Sequence, residues 1–151
     1  MQSATETDLS PAQRRDLRRV AGIMIPGSEE FSVPSAEDAA IFDDILRSLG
    51  RDRDGVRAAL TKLAAQAGGG FADLDDTRQE AVASAFLTNN APEATVLGRV
   101  ILQCYYRDDR VVRSLGLEPR PPFPKGHALE QGDWSLLDAV RARPKMWRDA
   151  P

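Results

Sequence analysis

The sequence predicts an all-α fold: a single-domain helical bundle of five to six helices, followed by an extended, Pro-rich C-terminal strap. Apolar residues recur at helical spacing through most of the chain before Gly116. No series of alternating β-branched residues indicates a strand. After Gly116 this periodicity stops, and five of the ten prolines fall between Pro119 and Pro144. A chain of 151 residues is also of the usual size for one domain.

Three segments follow from these patterns. Residues 1–8 are polar, and we expect them to be a flexible N-terminus. Residues 9–116 carry the helical periodicity and are predicted to form the bundle. Residues 117–151 form the strap, in which prolines favour extended, polyproline-like backbone.

The first predicted helix begins at Ser10–Pro11, because serine is a common N-cap and proline a common first helical residue. It ends at Pro26–Gly27. Its apolar positions are Leu17, Val20, Ala21 and Met24. The arginines between them are predicted to form a solvated face: Arg14, Arg15, Arg18 and Arg19.

The second and third predicted helices are bounded by capping residues and glycines. Ser35 with Asp38 resembles a capping box that opens the second helix, and Gly50 follows its end. The third helix is predicted over about residues 52–67 and ends at Gly68–Gly70. These glycines follow a helix and lack the Lys-Ser/Thr of a phosphate loop, so they indicate a flexible turn.

Three further helices are predicted before the strap. The fourth starts near Asp75 and ends at Asn89–Asn90, with Val82, Ala85 and Phe86 as its apolar positions. The fifth starts at Pro92 and is apolar around much of its circumference, which favours a central position in the bundle. A short sixth helix is predicted over residues 108–115.

Composition argues against several classes of function. A net charge of −3 and a pI near 5.2 argue against nucleic-acid binding, which needs a clustered basic excess. The charge is uneven, however: residues 107–151 hold 9 basic and 7 acidic groups, which leaves 11 and 16 for residues 1–106. No apolar run approaches the length that spans a bilayer, so we expect no membrane span.

The arginine pairs near the N-terminus raise the question of a twin-arginine export signal. The apolar run after them is very short, is broken by Pro26 and leads to acidic residues, so an amphipathic helix explains the pattern better. We therefore expect no signal in this chain. That expectation favours a cytoplasmic location, unless the chain is exported together with a signal-bearing partner.

The residues available for catalysis are few. With one cysteine and one histidine, the chain has no intramolecular disulfide and no usual Cys/His zinc site. Cys104 has apolar neighbours and is predicted to be a buried, inert thiol. His127 lies in a Pro/Gly-rich loop, and an independent enzyme that uses it is the weakest of the functional hypotheses. We expect no active site, metal or cofactor in the chain itself.

The strap holds both tryptophans, Trp134 and Trp147. Tryptophan is the residue type most often found at interface hot spots. Two interpretations remain open: the strap covers the chain's own helices, or part of it crosses to another protein chain.

Two stretches together resemble the gluconate 2-dehydrogenase subunit 3 family. The first is RRVAGIMIPGSEEFSVPSAEDAAIFDDIL, in which a helix ends at Ile25–Pro26, a polar loop runs from Gly27 to Pro34, and a second helix begins at Ser35. The second is CYYRDDRVVRSLGLEPRPPFPKG, with an aromatic pair, an aspartate, a short helix that ends in Leu-Gly, and a proline-rich exit. The resemblance covers about Leu9 to Gly126.

The resemblance implies a non-catalytic accessory subunit that supports the folding and stability of a larger partner. That partner is an FAD-containing flavoprotein of the glucose-methanol-choline class, which oxidises an alcohol or sugar and passes electrons to a cytochrome or another acceptor. The residues expected to contact it are Tyr105, Tyr106, Arg120, Pro121, Pro122, Phe123, Trp134 and Trp147. The alternative is a self-contained helical interaction or regulatory module with a non-flavoprotein partner.

Overall fold

The computed structural model describes residues 9–121, 126 and 128–148. The described chain contains seven α-helices and no β-strand, which confirms the predicted all-α class. It divides into two compact units, Met1–Pro119 and Arg120–Pro151. Residues 1–8, which the sequence predicts to be flexible, lie outside the described residues. No helix in the described ranges is both long enough and apolar enough to cross a membrane.

The first helix, α1 (Pro11–Met24), begins as predicted. Ser10 Oγ accepts a hydrogen bond from the backbone N–H of Gln13 at 3.2 Å, and Gln13 Oε1 accepts one from the backbone N–H of Ser10 at 3.0 Å. This reciprocal capping box satisfies two N–H groups that have no partner within the helix. The apolar face is buried through Leu17, Val20 and Ala21.

The second helix, α2 (Ala39–Ser48), begins later than the sequence predicts. Its N-cap is Asp38, whose carboxylate accepts from the backbone N–H of Ala40 at 3.1 Å. Ser35 instead accepts from the N–H of Glu37 at 3.2 Å and donates to the carbonyl of Ile25 at 3.3 Å. The prediction of Ser35 as the cap was wrong because this serine closes the preceding turn. Buried on the apolar stripe are Ile41, Phe42, Ile45 and Leu49.

The third helix, α3 (Arg53–Ala67), follows a 3-10 turn at Gly50–Asp52. Gly68 has a φ of +71°, and its backbone conformation is the left-handed one that glycine adopts without a steric penalty. The N–H of Gly69 then reaches the carbonyl of Ala64 at 3.0 Å. The predicted glycine turn is therefore a helix C-terminus.

The fourth helix, α4 (Asp76–Asn89), is capped by Asp75 and follows a 3-10 turn at Phe71–Asp73. Its buried face differs from the predicted one, since Ala85 is exposed and Ala83 is buried. The prediction placed Ala85 beside Phe86, but adjacent residues point about 100° apart on a helix. The face that packs inward holds Gln79, Ala83 and Phe86.

The fifth helix, α5 (Ala91–Tyr105), packs against α2, α3 and α4, and is central as predicted. Its buried positions include Leu97, Val100, Ile101 and Cys104. Helix α6 (Asp109–Ser114) follows, with Asp108 as its N-cap. In the second unit, a 3-10 turn at Trp134–Leu137 leads into the short α7 (Asp138–Arg141).

The four arginines of α1 do more than form a solvated face, and that prediction was incomplete. Three of them contact other elements: Arg15 pairs with Asp73 at 3.4 Å, Arg19 with Asp76 at 2.6 Å, and Arg18 Nε donates to the carbonyl of Glu37 at 3.0 Å. Long arginine side chains reach from an exposed face to neighbouring segments. They therefore tie α1 to the starts of α2 and α4.

A buried polar network joins α1 to α4, and no sequence pattern indicates it. Asp16 is buried, and its carboxylate accepts a hydrogen bond from the backbone N–H of Ala72 at 2.8 Å. Gln79, also buried, donates to the carbonyls of Leu74 at 2.9 Å and Ala72 at 3.3 Å, and accepts from Arg19 Nε. The network satisfies backbone groups of the 3-10 turn that burial removes from water.

Arg110 of α6 bridges two helix N-caps. Its Nη2 lies 2.7 Å from Asp38 Oδ1, and its Nε lies 3.0 Å from Asp108 Oδ1. The hydrogen bonds from Arg110 hold the pKa of both carboxyls below its usual value. This arrangement attaches α6 to the start of α2.

This bridge predicts a pH-dependent contribution to stability. Because the pKa of Asp38 and Asp108 is lower in the folded chain than the unfolded value of about 3.9, the stabilisation is complete above that value. It is lost as the pH falls through the folded pKa. We expect Arg110→Met to lower the free energy of unfolding more at about pH 6 than at about pH 3, as measured by urea denaturation.

Arg113→Met on the same helix is the matched control. Arg113 pairs with Asp109 at 3.3 Å, and both side chains are more than half exposed. Such a pair contributes little to stability, so its removal should have a small effect at either pH. An Arg110→Met effect of equal size at both pH values would contradict the prediction.

Candidate functional site

The described part of the strap contains one short helical segment. Asp133 caps it by accepting from the backbone N–H of Ser135 at 3.0 Å, and Arg141 pairs with Asp138 at 3.2 Å. The segment comprises the 3-10 turn Trp134–Leu137 and the single-turn helix α7. These eight helical residues are fewer than the roughly 12–15 that an isolated helix needs to be stable in water.

Large apolar side chains of the strap are correspondingly exposed. Trp134 is 62% exposed and Trp147 is 71% exposed. Other exposed apolar side chains in the same unit are Leu129, Leu136, Leu137, Val140 and Met146. Two large indoles and five further apolar side chains form the exposed apolar set typical of an interaction surface.

Local contacts orient both indoles. The Nε1–H group of Trp134 donates to Gln131 Oε1 at 3.0 Å, and Lys145 Nζ lies 5.8 Å from the ring centroid of Trp147. The N–H of Trp134 therefore has a partner while most of its ring surface remains accessible. Trp147 carries a cation over one face, which adds an electrostatic contact of modest strength.

The proline-rich start of the second unit is described only in part. Arg120 Nη2 donates to the carbonyl of Gly126 at 2.7 Å, and Pro121 is exposed. The guanidinium group thus contacts the backbone of Gly126. Pro122 and Phe123, which the sequence predicts to contact a partner, lie outside the described residues, as does His127.

Of the two adjacent tyrosines at the end of α5, Tyr105 is buried and Tyr106 is exposed. Tyr105 is 4% exposed, and its hydroxyl donates to the carbonyl of Pro34 at 3.2 Å. Burial raises the pKa of this phenol. Tyr106 is 55% exposed, with its ring centroid 5.3 Å from that of Tyr105. Of the pair, only Tyr106 presents its ring to solvent in this structure.

The physical reason is helical geometry. Tyr105 continues the stripe of Leu97 and Ile101 at intervals of four residues, so it faces the core. Tyr106 lies about 100° further around the helix. The prediction that both tyrosines contact a partner treated them as equivalent, and Tyr105 is a core residue.

Cys104 is buried, as predicted, and burial raises the pKa of its thiol. It lies beside a cavity of about 360 Å³ between α2 and the α5–α6 connection. The charged groups of this cavity pair with each other, since Arg107 Nη2 lies 2.6 Å from Asp44 Oδ2 and also donates to Ser48 Oγ at 2.5 Å. These contacts join α2 to the end of α5.

A second cavity, of about 330 Å³, is an apolar groove between α1 and α4. Its lining includes the buried side chains of Val20, Leu63, Phe86 and Leu97, together with the polar residues Glu80 and Ser84. The volume is at the lower end of the range for small-molecule pockets.

No metal site is indicated within the described ranges, where no group of three His, Cys, Asp or Glu residues is arranged to hold an ion. Exposed aromatic side chains occur in both units: Phe31 and Tyr106 in the first, Trp134 and Trp147 in the second. Comparison with protein-family models, with curated proteins and with solved structures found no match for the chain.

Proposed function

We propose that the chain is a non-catalytic small subunit that binds, stabilises and helps to fold the catalytic subunit of an FAD-dependent alcohol or sugar dehydrogenase. The observation that carries the proposal is the exposure of Trp134 and Trp147, together with neighbouring apolar side chains, on a strap whose helical segment has only eight residues. Buried tryptophans are common anchors of protein interfaces, and burying these two on a partner would remove a large apolar area from water.

The identity of the partner rests on the resemblance to the gluconate 2-dehydrogenase subunit 3 family. In the family that the chain resembles, the flavoprotein subunit binds FAD and oxidises the substrate. The small subunit supplies a surface that binds the flavoprotein. The strap suits this role because its anchors are accessible and each has a local contact, with Gln131 for Trp134 and Lys145 for Trp147. A large, apolar and aromatic surface is typical of a subunit interface that persists.

The proposal is tested by purifying the affinity-tagged full-length chain from its native cells. We expect a larger second chain to co-purify in a fixed ratio, and the complex to show the visible absorption spectrum of a flavin. Expression of that second chain without the small subunit should yield less folded, flavin-loaded protein.

A colourless chain that purifies alone and remains monodisperse would overturn the proposal. A stable complex with a partner that contains no flavin would favour the alternative, a helical interaction or regulatory module. The flavin spectrum therefore separates the two functions directly.

A further inference from the structure

The connection between α1 and α2 carries an exposed phenylalanine at its tip. Of the four phenylalanines that the structure describes, Phe42, Phe71 and Phe86 are buried, whereas Phe31 is 66% exposed. We call residues 27–34 the Phe31 loop. An isolated exposed apolar residue is common on protein surfaces, so Phe31 becomes informative only through its setting.

Hydrogen bonds close the Phe31 loop on itself. Ser28 and Val33 exchange two backbone hydrogen bonds of 3.0 Å, and the N–H of Ser32 donates to the carbonyl of Glu29 at 3.1 Å. The N–H of Phe31 donates to Ser28 Oγ at 3.3 Å. The turn that presents Phe31 is therefore internally bonded.

The base of the Phe31 loop is attached to the bundle. The N–H of Ala36 donates to the carbonyl of Ile25 at 3.0 Å, and the hydroxyl of Tyr105 donates to Pro34. The backbone packs closely at Gly27, where an added Cβ would lie 3.1 Å from the nitrogen of Ser35. These contacts fix the position of the loop relative to α1 and α5.

The backbone next to Phe31 is strained. Ser32 has a φ of +52° and is the only non-glycine residue with positive φ in the part of the chain that the structure describes. Such conformations persist where the surrounding structure imposes them, and they are frequent at binding sites. Here the strained residue directly follows the exposed ring.

The Phe31 loop also carries a local negative charge. Glu29 and Glu30 directly precede Phe31 and are exposed. A partner surface that binds this loop must provide an apolar pocket for the Phe31 ring. It must also provide basic side chains around that pocket, because like charges across an interface oppose binding.

We propose that Phe31 inserts into an apolar pocket with a basic rim on the catalytic subunit, as a second anchor besides the strap. This inference rests on the proposed function, because it assigns a further contact to the same partner. It specifies the chemistry of the partner surface: apolar at the centre, with Lys or Arg side chains that face Glu29 and Glu30.

The test measures binding of the purified, full-length chain to the flavoprotein that co-purifies with it. Phe31→Ala should weaken binding at least tenfold, mainly through faster dissociation, and Phe31→Leu should retain part of the affinity. The double substitution Glu29→Gln and Glu30→Gln should slow association and reduce its dependence on salt. Leu87→Ala removes an apolar side chain of α4 that is 47% exposed, and it should leave binding unchanged.

The outcomes separate this inference from the proposed function. If the wild-type chain binds the flavoprotein and Phe31→Ala binds equally well, the Phe31 inference is wrong and the proposed function stands. If the double glutamine variant associates faster, the rim of the pocket is acidic and the stated charge is wrong. If no flavoprotein binds the wild-type chain, both proposals fail together.

Discussion

Replacing Trp147 with alanine is expected to weaken the proposed complex with a flavin-dependent catalytic subunit by about 2 kcal/mol or more, which corresponds to roughly a 30-fold higher Kd. The same loss is expected for Trp134→Ala. Each indole is more than half exposed in the free chain, so its transfer into an interface would remove a large apolar area from water. Surface plasmon resonance with immobilised catalytic subunit measures both variants.

The thermal stability of the free chain provides the control for both tryptophans. Neither side chain is buried, so each alanine variant should unfold at nearly the same temperature as the wild-type chain. An unchanged Kd together with a lower Tm would show that the tryptophan supports the fold of the chain and is not an anchor for a partner.

Replacing Phe71 with alanine is expected to lower the free energy of unfolding by about 3–5 kcal/mol. Phe71 is fully buried in the 3-10 turn that packs against α1 and α3. Truncation would remove the apolar contacts of the ring and leave a cavity that the surrounding helices fill only in part. Urea denaturation monitored by circular dichroism gives the difference.

Phe31→Ala is the matched control for Phe71, because the chemical change is identical and only burial differs. We expect this surface substitution to change the free energy of unfolding by about 0.5 kcal/mol or less. If both variants lose similar stability, the assignment of Phe71 to the core and of Phe31 to the surface is contradicted.

The sequence was sufficient to predict which segments are helical, because their apolar periodicity and capping residues are local signals. It was less reliable for the start of α2. Serine and aspartate are both good N-caps, and the choice between Ser35 and Asp38 depends on the contact of Ser35 with the carbonyl of Ile25. That contact forms only when the chain folds back after α1.

The buried polar groups could not be predicted from local pattern. Asp16 lies among the arginines of α1 and has the sequence context of a solvated residue. Its burial depends on the N–H of Ala72, which lies 56 residues further along the chain. The amide of Gln79 is likewise buried, where it donates to the carbonyls of Ala72 and Leu74.

The candidate surface was predictable in part. Composition alone identified Trp134 and Trp147, and the structure shows both to be accessible. Phe31 is an aromatic residue in a largely polar loop, which is a sequence signal of the same kind, and the structure shows it to be exposed. Tyr105 lies four residues after the buried Ile101 and therefore faces the core, whereas Tyr106 does not. The number of aromatic residues in the segment gives no information about this difference.

The hydrogen bond from Tyr105 to Pro34 has a consequence for the entropy of binding. It joins the end of α5, where Tyr106 is exposed, to the base of the Phe31 loop. The two segments are ordered together when the chain folds, so a partner that contacts both need not order either of them on binding. Preorganisation of this kind increases affinity without any additional contact, because the segments lose their conformational entropy during folding and not during binding.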